Sequence, residues 1–185
     1  MPRVFIAVDV DQTVKHQLSG IQEQLSATGA HLKLVETPNI HVTMKFLGDT
    51  PDTKIPALIE ALRKAASEAN NFDIEVKGIG VFPSLKHMRV IWAGIAEGRE
   101  GVKSLQHAVD KELEPLGFRS EKDFIPHMTI ARVKSAKEKD KLAEIIQTSE
   151  NLDFGQSRVT AIELKESKLT PKGPIYSTIE RVNLA

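Results

Sequence analysis

Polar and apolar residues alternate along this chain in two rhythms, and the switches between them mark its elements. Residues 3–10 form an apolar, β-branched run, read as the first strand. Asp11 stands where a helix cap belongs, and Val14, Leu18, Ile21 and Leu25 then recur at helical spacing up to Gly29. Leu32 and Leu34 alternate with polar neighbours as a short strand, and a further strand follows Pro38 through Leu47. Ile55, Leu58, Ile59, Leu62, Ala65 and Ala66 give a helix that must begin near Thr53, because Pro56 fits only a first turn. Residues 72–82 and 88–96 predict two strands about a turn at Pro83-Ser84. Val102, Leu105, Val109 and Leu113 predict a helix stopped at Gly117. A strand is expected from Phe124 to Val133, then a helix with Leu142, Ile145 and Ile146 opened by a Ser135/Glu138 capping box. The tail reads as one long strand over 154–168, a turn at Thr170–Pro174 and a last strand holding Ile175, Ile179 and Val182. Strands that alternate with helices but also follow one another directly predict an α+β fold with antiparallel pairing.

Composition narrows the function. The 25 basic and 25 acidic residues cancel, which argues against a protein that coats nucleic acid by charge alone. The absence of cysteine removes disulfides, thiol nucleophiles, Cys-ligated zinc and iron–sulfur clusters together. No apolar run approaches the roughly 18–20 residues of a membrane helix, and Val4–Val8 is too short for a signal-peptide core. A single domain over 1–185, cytoplasmic and monomeric, with no membrane partner, is the expectation.

One pattern rises above this background. His41-Val42-Thr43-Met44 and His127-Met128-Thr129-Ile130 are both His, apolar, Thr, apolar, each shortly after a proline, Pro38 and Pro126. One such histidine alone reads as a structural residue; a matched pair nearly half a chain apart does not. In a strand, His41 and Thr43 share one face while Val42, Met44 and Phe46 face the other, and His127 and Thr129 are placed likewise against Met128 and Ile130. Two such strands facing across a cleft suit a reaction with two proton transfers about one centre. Opening a cyclic phosphodiester is such a reaction. One imidazole takes the proton of attacking water, a second protonates the leaving oxygen, and the threonines hydrogen-bond the non-bridging oxygens. A zinc pair would need a further ligand such as Asp123 or Asp49, and no metal-ligand spacing is present. No metal and no cofactor are expected.

These residues resemble the 2H phosphoesterases, in particular the LigT-like RNA 2′,3′-cyclic phosphodiesterases, also called 2′-5′ RNA ligases. The resemblance covers almost the whole chain: Arg3–Ala7, Pro38–Gly48, Gly80–Pro83 with Arg89–Gly94, Phe124–Arg132, and Glu166–Tyr176. Met44 and Ile130 stand where leucine is commoner. It implies a bilobal, pseudo-twofold α+β fold, with two antiparallel sheets forming a V-shaped cleft and helices outside. It implies opening of RNA 2′,3′-cyclic phosphate ends to 2′-phosphates, with reversible 2′-5′ ligation in some members and tRNA fragments among the partners. By that analogy His127 is the base that activates water and His41 the acid that protonates the 3′ oxygen, although the sequence itself does not distinguish them.

Around this pair, Arg132 is read as a phosphate or base contact, although strict alternation turns it away from His127. Phe46 is either a base-stacking platform or a core residue. Lys45 shares the His41 face of a straight strand and is either a positive charge in the cleft or, the preferred reading, a solvated lysine; Phe82, Pro83 and Tyr176 are read as the cleft rim, and Trp92 as core. His16, His31, His87 and His107 read as surface or structural residues, and the runs Lys134–Lys141 and Glu97–Glu100 as solvated. Two alternatives are kept. One is the same chemistry on a small nucleotide, such as an ADP-ribose cyclic phosphate or a 2′-5′ oligoadenylate. The other is a noncatalytic RNA- or nucleotide-binding module. A basic rim beside the cleft favours long RNA; a closed pocket favours the small ligand.

Overall fold

Each apolar strand run and each amphipathic helix needs a partner for its apolar face, and the chain supplies them in two layers. A computed structural model describes residues 1–185. In chain order the elements are β1 (Arg3–Asp9), α1 (Gln12–Ala27), β2 (Leu32–Leu34), β3 (His41–Asp49), α2 (Ile55–Ser67), β4 (Phe72–Pro83) and β5 (Met88–Ile95). Then come α3 (Arg99–Leu113), β6 (His127–Val133), α4 (Lys139–Thr148), β7 (Asp153–Val159), β8 (Ala161–Thr170) and β9 (Gly173–Asn183).

All strand pairs are antiparallel, in a four-stranded sheet ordered β3-β1-β8-β9 and a five-stranded sheet ordered β2-β6-β5-β4-β7. Setting β2 aside, the two orders correspond strand for strand, with β3 matching β6 and β1 matching β5. The fold is therefore α+β with a pseudo-twofold relation between its lobes. Helix α2 packs on β8, β9 and α3, whereas α1 packs on β6 and β7 and α4 on β4. β3 and β6 approach each other where the sheets meet.

The core is a cluster of 37 buried apolar residues shared by both sheets, and it includes Val42, Met44, Met128 and Ile130. Each of these four is at most 1% exposed. Burying such side chains is worth about 1.5–3 kcal/mol apiece, so the two motif strands are held firmly by their inner faces.

Three local expectations are corrected. The strand expected from Phe124 begins only at His127. The long strand expected over 154–168 is two strands broken at Thr160, because β7 pairs with β4 in one sheet and β8 with β1 in the other. The capping box does not form: α4 starts at Lys139, too far from Ser135, whose Oγ instead accepts the Lys137 N–H at 3.3 Å. Asp11 holds the N-cap position of α1 as expected, but its carboxylate makes no capping bond: it accepts the Arg158 N–H at 3.3 Å and ties the helix start to β7.

Candidate active site

Strict alternation would send Phe46 and Arg132 away from the two histidines, yet both strands swing them back by the same device. Opposite β1, Thr43 pairs with Ala7 and Lys45 with Ile6, leaving Met44 as an extra residue. Opposite β5, Thr129 pairs with Trp92 and Ala131 with Ile91, leaving Ile130 as the extra residue. Each is a bulge, which bends a strand and exchanges its faces beyond that point. Met44 and Lys45 are both buried, as are Ile130 and Ala131, and the next residue in each strand returns to the open face. Phe46 is 70% exposed, so its core reading is overturned.

The same bulge corrects Lys45. It is 4% exposed and its ammonium is bound to the Asp110 carboxylate and the Arg119 carbonyl. Asp110 also accepts the Gln106 side-chain amide at 3.0 Å and the Glu121 N–H at 2.7 Å. An ammonium driven inside needs such a set of partners, and here the set ties β3 to α3 and to the loop that leads into β6.

The two imidazoles are held alike. His41 Nδ1 lies 2.7 Å from the Asn39 carbonyl and His127 Nδ1 lies 2.7 Å from the Ile125 carbonyl. A carbonyl only accepts, so Nδ1 carries the hydrogen in both rings and Nε2 is left for chemistry. Thr43 Oγ1 lies 2.7 Å from His41 Nε2 and donates to it when the ring is neutral.

Aromatic rings pack against both histidines. The Phe5 and Tyr176 rings lie 5.2 and 5.6 Å from the His41 ring. Phe82 and Trp92 lie 5.2 and 6.4 Å from the His127 ring. Trp92 is thus not a core residue: Ile91 and Ala93 point inward, and the indole lies across Gly80, where an added Cβ would come within 2.2 Å of it. Burial holds the His41 pKa below its ordinary 6.5; the hydrogen bond to Asn39 opposes this, while the Lys165 ammonium adds to it. Burial also raises Tyr176 above 10, with the Arg132 guanidinium pulling the other way from the opposite lobe.

His41, Thr43, Phe46, His127, Thr129 and Arg132 all line one cavity of about 540 Å³ between the sheets, and Phe82 and Tyr176 line it too. Pro83 does not; it lines a neighbouring cavity with His87, Lys134 and Lys139. Neither Asp49 nor Asp123 completes a group of three ligating side chains with the histidines. His16, His31 and His107 line neither cavity. Sequence reading missed Phe5 and Lys165, which pair across β1 and β8 beside His41. Only the strand order brings them there. It also missed the carbonyls of Asn39 and Ile125, for which the shared position two residues before each histidine was the available signal.

Residues 12–168 match the family described as the 2′-5′ RNA ligase superfamily. The RNA 2′,3′-cyclic phosphodiesterase of Methanothermobacter thermautotrophicus is 40% identical over 96% of each chain. That of Methanocaldococcus jannaschii is 35% identical over 96% of this chain and 98% of its own. A solved protein of Thermus thermophilus superposes with a TM-score of 0.84 at 27% identity, covering 98% of this chain and 97% of the other. The crystal structure of E. coli LigT with 3′-AMP shares the fold, with a TM-score of 0.79 at 21% identity over 100% of this chain and 98% of the other.

Proposed function

The chain belongs to the 2′-5′ RNA ligase superfamily, and from that premise we propose that it hydrolyses RNA 2′,3′-cyclic phosphate ends to 2′-phosphomonoesters through His41 and His127. The observation that carries the reading is the paired imidazoles: two Nδ1–H groups tied to backbone carbonyls, with both rings bordering one cavity. Paired proton-transfer groups are what two-sided acid–base chemistry requires, and binding alone has no need of them.

In this mechanism water attacks phosphorus in line with the 3′ oxygen. His127 Nε2 takes the water proton as the new P–O bond forms. The bond to the 3′ oxygen breaks, and that oxygen takes a proton from His41 Nε2, leaving a 2′-phosphomonoester and a free 3′ hydroxyl. Thr43 and Thr129 donate hydrogen bonds to the non-bridging oxygens as charge builds on them. For His41 to act as the acid it must be protonated, which burial opposes in the free protein; the charge of the bound phosphodiester restores it. Once the ring is protonated its Nε2 no longer accepts from Thr43, and that hydroxyl is released to the phosphate.

Among the positions where the pseudo-twofold is broken, the matched pair Phe46 and Arg132 faces the cleft and gives it a direction. Arg132 supplies a fork for phosphate oxygens, and Phe46 supplies an exposed ring on which the terminal base stacks. Every group in the scheme comes from one copy of the chain, which supports a monomer as the working unit. Cleaved tRNA fragments are the RNA ends proposed, and 2′-5′ ligation is the same path reversed. The experiment is incubation with a nucleoside 2′,3′-cyclic phosphate in the presence of chelator. Release of the 2′-phosphate supports the reading; an unchanged cyclic ester, or the 3′-phosphate as product, contradicts it.

A further inference from the structure

A second cavity, of about 580 Å³, lies beside the first at the end of the five-stranded sheet. It is lined by Lys86, His87 and Arg89 from the β4–β5 hairpin, by Lys134 just after β6 and by Lys139 at the start of α4. No carboxylate lines it. None of these side chains belongs to an ion pair; of the two acids that flank Lys139 in sequence, Glu138 is held by Lys141 at 3.2 Å and Asp140 lies in the first turn of α4, outside the lining. In a chain whose formal charge is zero, this is a local excess of unpaired positive charge.

The two cavities adjoin through consecutive residues on three strands. Phe82, Val90 and Arg132 line the first; Pro83, Arg89 and Val133 line the second. Consecutive strand residues face opposite ways, so the second cavity lies round the strand ends from the first, on the side where Met88, Val133 and Leu142 meet the core, and a chain leaving the first cavity reaches it by passing over the β4–β5 hairpin. Carboxylates are placed elsewhere: Glu36, Glu121 and Asp123 line the first cavity on the β2–β3 and α3–β6 connections. Lys33 and Lys172 line the first cavity as well, so its charge is mixed, whereas the groove at the hairpin presents cations alone to an anionic polymer held at its end between the histidines.

We propose that the groove of Lys86, Arg89, Lys134 and Lys139 binds the phosphodiester backbone of single-stranded RNA 5′ to the terminal cyclic phosphate. This rests on the reading of the first cavity as the hydrolytic site and extends it: the terminal nucleotide is recognised in the cleft, and the preceding backbone is recognised by charge in the groove. Recognition there is by charge, because the lining presents four cations and no Phe, Tyr or Trp, His87 being its one aromatic ring.

The test compares two substrates with the same reactive end, a mononucleoside 2′,3′-cyclic phosphate and a single-stranded oligoribonucleotide ending in one. The variant is K86Q/R89Q/K134Q/K139Q, which touches none of the residues placed in the cleft. On the mononucleotide its kcat/KM matches the wild type, which also shows that the fold is intact. On the oligonucleotide its kcat/KM at low salt falls by on the order of 10-fold or more, and its log–log salt slope flattens by about 0.7 for each lost phosphate contact. An unchanged oligonucleotide rate and salt slope in the variant overturns the inference, as does an equal loss on both substrates. If the wild type hydrolyses neither substrate, the reading of the cleft itself is overturned and the groove inference falls with it.

Discussion

At the scale of the residue, the proposed chemistry turns on two nitrogen atoms, Nε2 of His41 and Nε2 of His127. Each histidine is tied at Nδ1 so that only Nε2 is available, and neither ring can serve its role with the tautomer reversed. Replacing His41 or His127 by Ala is expected to lower kcat by about 10²–10⁴-fold, while the thermal midpoint moves little because neither ring belongs to the apolar core. Turnover assays with a melting curve check both halves. The depressed pKa of His41 has its own consequence. Protons bind this ring more readily in the unfolded chain, whose value is about 6.5, so its contribution to stability is complete above 6.5 and is lost as pH falls from there through the lower folded value. Denaturant titrations between neutral and mildly acid pH should therefore show a steeper loss for wild type than for His41→Gln; equal slopes would contradict it. Phe46, with 70% of its surface open, contributes little to packing, so Phe46→Ala is expected to leave stability unchanged and to raise KM. Base stacking is worth about 1–3 kcal/mol, roughly 5- to 150-fold in affinity.

At the scale of the element, the site depends on the two bulges and on the charge they bury. Asp110→Ala leaves the Lys45 ammonium without its carboxylate and frees the Glu121 N–H, and the expected cost is about 3–5 kcal/mol, read as a shift in denaturant midpoint. The double substitution K45M/D110L recovers much of that stability. It does not restore the hold on the loop before Ile125, so activity stays low although the fold returns. These bulges also mark where sequence reading stops. The His-x-Thr tetrads, the core role of Val42, Met44, Met128 and Ile130, and the order of helices and strands were all legible, because period and motif are local properties. A single extra residue at Met44 or Ile130 carries no local mark, yet it exchanges Lys45 with Phe46 and brings Arg132 to the cleft. The break at Thr160 was hidden for a related reason: two strands in different sheets that follow one another read as one. The Ser135/Glu138 pair had the spacing of a capping box but stood one turn too early to cap α4.

For the whole molecule, the pseudo-twofold brings one strand from each half to the junction, and neither sheet alone carries a complete site. The single tryptophan, Trp92, lies behind the cleft wall, 5.1 Å from the Phe82 ring and 6.4 Å from the His127 ring, and so reports on changes at both. Binding of a nucleoside 2′-phosphate is expected to change its fluorescence in a saturable way, and the same titration with Arg132→Met should need more ligand. No helix is long and apolar enough to cross a membrane. The central claim is that the two imidazoles act as a pair on one phosphorus, and the pH dependence of kcat/KM for the wild type and both single variants addresses it most directly. A bell is expected for the wild type. His41→Ala should keep only the limb that rises with pH, set by the remaining base, and His127→Ala only the limb that falls. A bell that survives both substitutions would contradict the account.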